Sequence, residues 1–246
     1  MIKNLLFIFS TILIIFSIYL SKDIKLDASS DTLILQNNKT FEYYKYYNKI
    51  FPSKNFLILA IKSKKKIDEE YIKNINDINE DLSKLSNIES TLSIVDLPIL
   101  LLNNKKISNL ANQNIDNINN SDYKLKNILN EFSTSPLFKD QIINTDENIS
   151  SIIVYIKENS KFKKIQDLKK NNLNDIEINK KYQKIKEIIN TDKKILIKEI
   201  RNTIKNQSNN YEYFLGGIDM IASDTIRFVE KDILIFSFAV IIIIIF

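Results

Sequence analysis

The stretch FLILAIKSKKKIDEEYIKNINDINEDLSKL, residues 56–85, changes its apolar period partway along. Its opening FLILAI is continuously apolar, bounded by Pro52-Ser53-Lys54-Asn55 before and by lysines after. Such a run predicts a strand buried on both faces. From Asp68 the spacing shifts, with Tyr71, Ile75, Ile78, Leu82 and Leu85 recurring at intervals of four and three among charged residues. That period predicts an amphipathic helix covering a sheet. Asp68, Glu69 and Glu70 fall in its first turn, where negative charge is favoured by the helix dipole. Beyond it, Leu92, Ile94 and Val95 stand in a Ser/Thr-containing stretch ended by Asp96-Leu97-Pro98, which predicts a second strand.

The same order recurs downstream. Residues 152–156 (IIVYI) read as a strand, residues 161–207 as a lysine-rich helical region, and residues 211–215 (YEYFL) as a strand. Within the helical region Ile178, Tyr182, Ile185 and Ile189, then Leu196, Ile200 and Ile204, keep one apolar stripe, and Asn171-Asn172 is expected to break the region into a hairpin. Two strand-helix-strand units make a split βαβ pair, the ferredoxin-like α+β arrangement with four strands and two helices on one face. Residues 98–147, polar and Asn-rich with Leu129, Phe132, Leu137 and Phe138 scattered among them, are expected to form short helices and loops inserted between the units.

The two ends differ from this middle. Residues 5–20, LLFIFSTILIIFSIYL, carry no charge and approach the ~20 apolar residues that cross a hydrocarbon core. A secretory signal peptide is the competing reading, since Lys3 supplies a positive start, but the following IYLSKDIKL lacks a small-x-small cleavage pattern. An uncleaved transmembrane helix is therefore expected. Residues 233–246, ILIFSFAVIIIIIF, are apolar on every side and read as the start of a second transmembrane helix, apparently truncated. The expected organisation is a cytoplasmic start and first transmembrane helix at 1–21, a lead-in segment at 22–50 and an extracytoplasmic domain at 51–217. A connecting helix at 218–232 and the second span from 233 complete it. Lys3 favours a cytoplasmic amino terminus.

Composition narrows the chemistry. The 246 residues include no Cys and no His, which removes the commonest zinc ligands, the thiol nucleophile and every His-based triad. A Ser nucleophile with a Lys base would remain, but no Gly-rich elbow or metal cluster accompanies it. Enzyme activity is not expected, and no catalytic, cofactor-binding or metal residue is assigned. The net charge of +5 comes from lysine interleaved with Asn, Ile and acids. A solvated surface explains this better than a nucleic-acid footprint.

Gly216 and Gly217 are the only two glycines of the chain, and their adjacency implies a local backbone need. The need is a tight strand-to-helix turn or a hinge, with the fixed turn favoured. Asp219, at the head of the following helix, is the expected helix cap or dipole partner. Asp27 and Asp31 read as loop and cap residues.

Several phrases in order resemble exporters of the resistance-nodulation-division (RND) superfamily, specifically its MMPL-like branch. They are LDASSDTLI (26–34), FEYY (41–44) leading to FPSKNFLILAIKS, SNIESTLSIVDLPIL (86–100), SPLF (135–138), NISSIIVYIK (148–157) and FLGGIDMIASDTIRFVEKDI (214–233). The last is the most specific. In that family a similar Gly-Gly pair closes the final strand, and a helix runs from it into the membrane. The resemblance implies an extracytoplasmic porter domain in a proton-driven transporter of lipids or other hydrophobic molecules, set in a bacterial inner membrane with residues about 22–232 on the periplasmic or extracellular side. It implies proton-carrying acids in later helices, and no cofactor. The expected partners are the membrane lipid bilayer, a hydrophobic or lipid substrate, the remaining transmembrane helices of the same transporter, and other copies of the chain in a homo-oligomer; nucleic acid is not among them. A membrane-anchored sensor domain of a chemoreceptor or histidine kinase is the alternative.

Overall fold

The computed structural model describes residue 16 and residues 39–52, 54–102, 115–172 and 175–245. The first expected span, residues 5–20, lies outside them except for Phe16, as do Asp27 and Asp31. Helix α1 (Lys39–Ile50) precedes strand β1 (Phe56–Ser63), which is followed by helix α2 (Glu69–Ser83) and strand β2 (Ile88–Leu92). After helix α3 (Leu125–Thr134), strand β3 (Ile149–Ile156) leads into helices α4 (Ser160–Asn171) and α5 (Ile176–Lys205), and strand β4 (Tyr211–Gly216) leads into helix α6 (Ile218–Ile245). The four strands form one antiparallel sheet in the order β2-β3-β1-β4. This is an α+β fold, compatible with the split βαβ arrangement read from the sequence.

β1 is the inner strand through which the chain's two halves meet. It pairs with β3, Leu57 opposite Val154 and Leu59 opposite Ile152, and on its other edge with β4, Leu59 opposite Leu215. Leu57, Leu59 and Ile61 are fully buried. They share the core with Tyr71, Ile75, Ile78 and Leu82 of α2 and with Leu196, Ile197 and Ile200 of α5. The alternate residues Phe56 and Ile58 are 43% and 37% exposed. The expectation of a strand buried on both faces is thereby corrected. A continuous apolar run does not say how many faces are covered, and the helical core residues here lie against one.

The second strand also falls elsewhere than expected. β2 ends at Leu92, and Ile94–Asp96 is a single 3₁₀ turn. Ser93 donates from both its backbone N–H and its hydroxyl to Asp96 Oδ2, each at 2.8 Å, while the Asp96 N–H returns to the Ser93 carbonyl at 3.0 Å. Ser and Asp three residues apart offer the backbone a local alternative to the ladder. Ile94 and Val95 are buried all the same.

Two polar devices fasten the helices. Asp68 caps α2 by accepting from the Tyr71 N–H at 3.0 Å. Its pairing with Lys65 at 2.5 Å holds the carboxyl below the usual carboxylate range, against the opposing effect of burial. In the insert, Glu131 of α3 is only 5% exposed. Its carboxylate accepts three successive backbone N–H groups, from Leu100 at 2.6 Å, Leu101 at 3.0 Å and Leu102 at 2.9 Å. Three charge-assisted bonds satisfy the buried carboxylate and pin the loop after Ile99 to the domain.

α5 and α6 carry the remaining architecture. At Asn172 the backbone leaves helical geometry, with φ −137° and ψ 61°, and Asp175 caps the restart by accepting from Glu177 and Ile178. α6 runs unbroken from Ile218, so the expected connecting helix and the apolar run beyond it are one element. Among the described residues, no helix is long and apolar enough to cross a membrane. In α6, Glu230, Lys231 and Asp232 interrupt the sequence just before its apolar end.

Tyr71 provides a direct test of this packing. Its hydroxyl donates to the Ile61 carbonyl at 2.7 Å, accepts from the Ser150 N–H at 3.1 Å and lies 2.8 Å from Ser150 Oγ, tying α2 to β1 and β3. Burial pushes the phenol from 10.0 up to about 12. The protonated form is the one the fold favours, so this stabilisation is complete below the ordinary value of 10.0 and is lost as pH climbs through about 12. Tyr71→Phe is expected to cost about 1 kcal/mol at neutral pH. Its urea-denaturation stability should also fall less steeply than the parent's across that alkaline window; parallel curves would contradict the buried-phenol account.

Candidate functional site

β4 and α6 meet at a junction that must hold two constraints together. The last ladder partner of β4 is Gly216, opposite Ile58. Gly217 follows with φ +129°, a backbone conformation that residues with a Cβ resist. A Cβ there would also meet Leu57 Cδ2 at 2.9 Å, the Phe56 carbonyl oxygen at 3.2 Å and Leu57 Cα at 3.3 Å. The local need therefore belongs to Gly217. A Cβ on Gly216 would find the Ile58 carbonyl oxygen at an ordinary 3.9 Å.

The helix starts at once: the Gly217 carbonyl accepts from the Ile221 N–H at 3.0 Å. Asp219, expected as helix cap or dipole partner, stands inside the first turn. Its negative charge suits that turn. Its carboxylate is held from across the gap by Lys193 of α5 at 2.8 Å, with both side chains mostly buried. Cap positions favour residues whose own backbone can leave helical geometry, and here Gly217 fills that requirement.

A second contact joins the same two helices. Arg201 of α5 grips Asp224 of α6 bidentately, Nη1 to Oδ1 at 3.1 Å and Nη2 to Oδ2 at 2.7 Å. Arg227 reaches the same carboxylate at 3.2 Å. Both arginines thus converge on one aspartate that is 20% exposed. Lys194 and Glu230 add a more open pair at 3.5 Å. Bidentate geometry fixes orientation as well as attraction, and partial exposure limits the pair's worth to about 1 kcal/mol.

These contacts join α6 to the sheet and to α5. They set the direction in which α6 leaves the sheet and resist its rotation against α5. Among the described residues, no group of His, Cys, Asp or Glu could hold a metal ion. An open groove of about 550 Å³ lies apart from the junction, between the start of α2 and α3. Its charged lining is Lys66 and Lys126 with Asp68, Glu69, Glu70 and Glu147, and Lys66 and Glu147 are paired at 2.9 Å.

Sequence reading singled out Gly216, Gly217 and Asp219, and the structure brings them to one turn. It did not single out Lys193, Arg201 or Asp224 as partners, because pairs spanning two helices leave no mark in local spacing. Two arginines amid abundant lysine were the available signal, since the planar guanidinium is favoured where a carboxylate must be gripped in a fixed geometry.

The fold and this junction define a class: an α+β domain whose strand β4 passes through a positive-φ glycine into a long helix held by partly buried ion pairs. No family model matches the chain, and no curated protein matches it.

The two glycines can be separated experimentally. Gly217→Ala is expected to destabilise the fold by about 1–3 kcal/mol, because the positive φ and the close β1 backbone are both unfavourable to a methyl group. Gly216→Ala should change stability by no more than about 0.5 kcal/mol. Chemical denaturation of the two variants beside the parent checks the difference, and equal effects would mean that the turn is set by something other than Gly217.

Proposed function

We propose that this chain is the amino-terminal, porter-domain portion of an RND-type exporter of the MMPL-like branch, which moves lipids or other hydrophobic molecules outward across a bacterial inner membrane with proton drive. The observation that carries the reading is the β2-β3-β1-β4 antiparallel order, with helices after β1 and after β3, continuous through Gly217 with a helix whose far end is apolar. That order matches a ferredoxin-like split βαβ domain. The apolar sequences at 5–20 and 233–246 support placing it between membrane segments.

In this reading the chain supplies no proton path and no reaction. It supplies a domain that must keep a fixed relation to the helix beside it. Packing of Gly217 against Phe56 and Leu57 supports a fixed turn over a freely bending hinge. Lys193 and Arg201 would then pass any movement of α6 into α5 and the sheet.

The absence of cysteine makes topology directly measurable. Leu137, 60% exposed on the insert, can be replaced as Leu137→Cys, and the start of the chain as Lys3→Cys. Membrane-impermeant maleimide is expected to label Leu137→Cys in intact bacteria and Lys3→Cys only after permeabilisation, with both variants sedimenting with membranes. Recovery in the soluble fraction, or labelling of Leu137→Cys only after lysis, would reject the placement. Transport has its own check: cells lacking the protein should retain a lipid or hydrophobic compound that the parent exports. Identical profiles would remove the exporter reading.

A further inference from the structure

Helix α1 exposes an aromatic face that the porter reading leaves without a task. Tyr43, Tyr46 and Tyr47 are 66%, 62% and 60% exposed, and Ile50 is 49% exposed. At helical spacing these four fall on one side, with Lys39 at the same side's amino-terminal end and Glu42, Tyr44 and Lys49 on its flanks. Phe41 stacks on Tyr44 with ring centroids 6.2 Å apart, and Tyr46 meets Tyr47 edge-on at 5.8 Å. Tyr44, Tyr46 and Tyr47 thus have ring neighbours and are still more than half exposed. Leaving so much apolar surface in water is unfavourable, and contiguous exposed patches mark binding surfaces.

The chemistry of the patch selects its occupant. Tyrosine has an apolar ring and a polar tip, and it concentrates where a bilayer's hydrocarbon gives way to headgroups. Lys39 and Lys49 stand at the two ends of α1, both exposed, where their cations fit lipid phosphates. A core-forming helix would instead show aliphatic residues and bury them.

Topology supplies an independent observation. α1 leads into β1 at Phe56, and α6 leaves β4 beside that same residue, since a Cβ at Gly217 would lie 3.2 Å from the Phe56 carbonyl oxygen. The aromatic helix and the helix with the apolar end therefore connect to the sheet at the same end of the neighbouring strands β1 and β4. Toward that apolar end Leu234, Phe236, Phe238 and Ile243 are 72%, 69%, 66% and 75% exposed.

We infer that α1 is a bilayer-binding helix that lies in the lipid headgroup layer, with Tyr43, Tyr46, Tyr47 and Ile50 inserted and Lys39 and Lys49 directed to phosphates. The inference rests on the membrane placement in the preceding reading and is independent of transport.

A chain without tryptophan allows one probe at a time. Tyr47→Trp, Phe236→Trp and Leu137→Trp, each at an exposed site, are placed in the full chain reconstituted in phosphatidylcholine vesicles containing phosphatidylglycerol. Tyr47→Trp is expected to emit at shorter wavelength than Leu137→Trp, to lose emission to lipid brominated near the headgroup, and to be shielded from aqueous iodide. If iodide quenches Tyr47→Trp while Phe236→Trp is quenched by lipid, α1 does not bind the bilayer and the membrane placement stands. If iodide quenches both, the membrane placement fails and the inference fails with it. If Tyr47→Trp is shielded from iodide and from lipid alike, the face is covered by protein, which also overturns the inference.

Discussion

The rest of the structure depends on β1 being hydrogen-bonded along both edges. It is the first strand of the sheet in sequence, yet it sits between β3 and β4, which come much later. A strand in that position cannot finish pairing until the second strand-helix-strand unit has folded against the first. Such long-range pairing carries a loop-closure cost before contacts compensate for it. Burial of Leu57, Leu59 and Ile61 against α2 and α5 is the compensation. The junction at Gly217 inherits the same dependence, because the atoms that exclude a side chain there belong to Phe56 and Leu57.

Much of the fold was legible because its core is written in two periods. Of the apolar positions named from spacing, Tyr71, Ile75, Ile78 and Leu82 are fully buried and Leu85 packs partly buried against them. What failed to show was decided by neighbours outside the local window. FLILAI looks identical whether one face or two are covered, and only the placement of the helices resolves it. Ile94 and Val95 are apolar enough for a strand, yet the Ser93–Asp96 bonds turn the backbone out of the ladder. Glu131 is an acid inside an apolar stripe with Ile128 and Phe132, an anomaly visible in the sequence. Its role as acceptor for Leu100, Leu101 and Leu102 depends on a loop some thirty residues away in the chain.

The candidate site divides the same way. Glycine scarcity pointed to the turn, and the structure separates the two residues by their backbone: one has a positive φ and close neighbours, the other has neither. Asp219 was legible as an acid near a helix start, but its partner was not. Lys193 and Arg201 lie on α5, well before β4 in sequence, and meet α6 only because β4 returns the chain to that side of the sheet. Pairings of this kind are properties of topology and not of composition.

These contacts limit how the domain and α6 can move relative to each other. A helix joined by a flexible linker would transmit little, because the linker would absorb any displacement. Here the turn is packed against β1 and the first turns are held by partly buried ion pairs, so bending at the junction must disturb sheet packing or separate charges. Separating such a partly buried pair costs about 1 kcal/mol, and the bidentate Arg201–Asp224 geometry is lost with it. Rotation of α6 should therefore carry α5 with it, and through Leu196, Ile197 and Ile200 it should carry the core face of the sheet. α1 connects to that sheet at the strand end where α6 leaves it, so a surface that seated α1 would fix the end about which such a rotation turns.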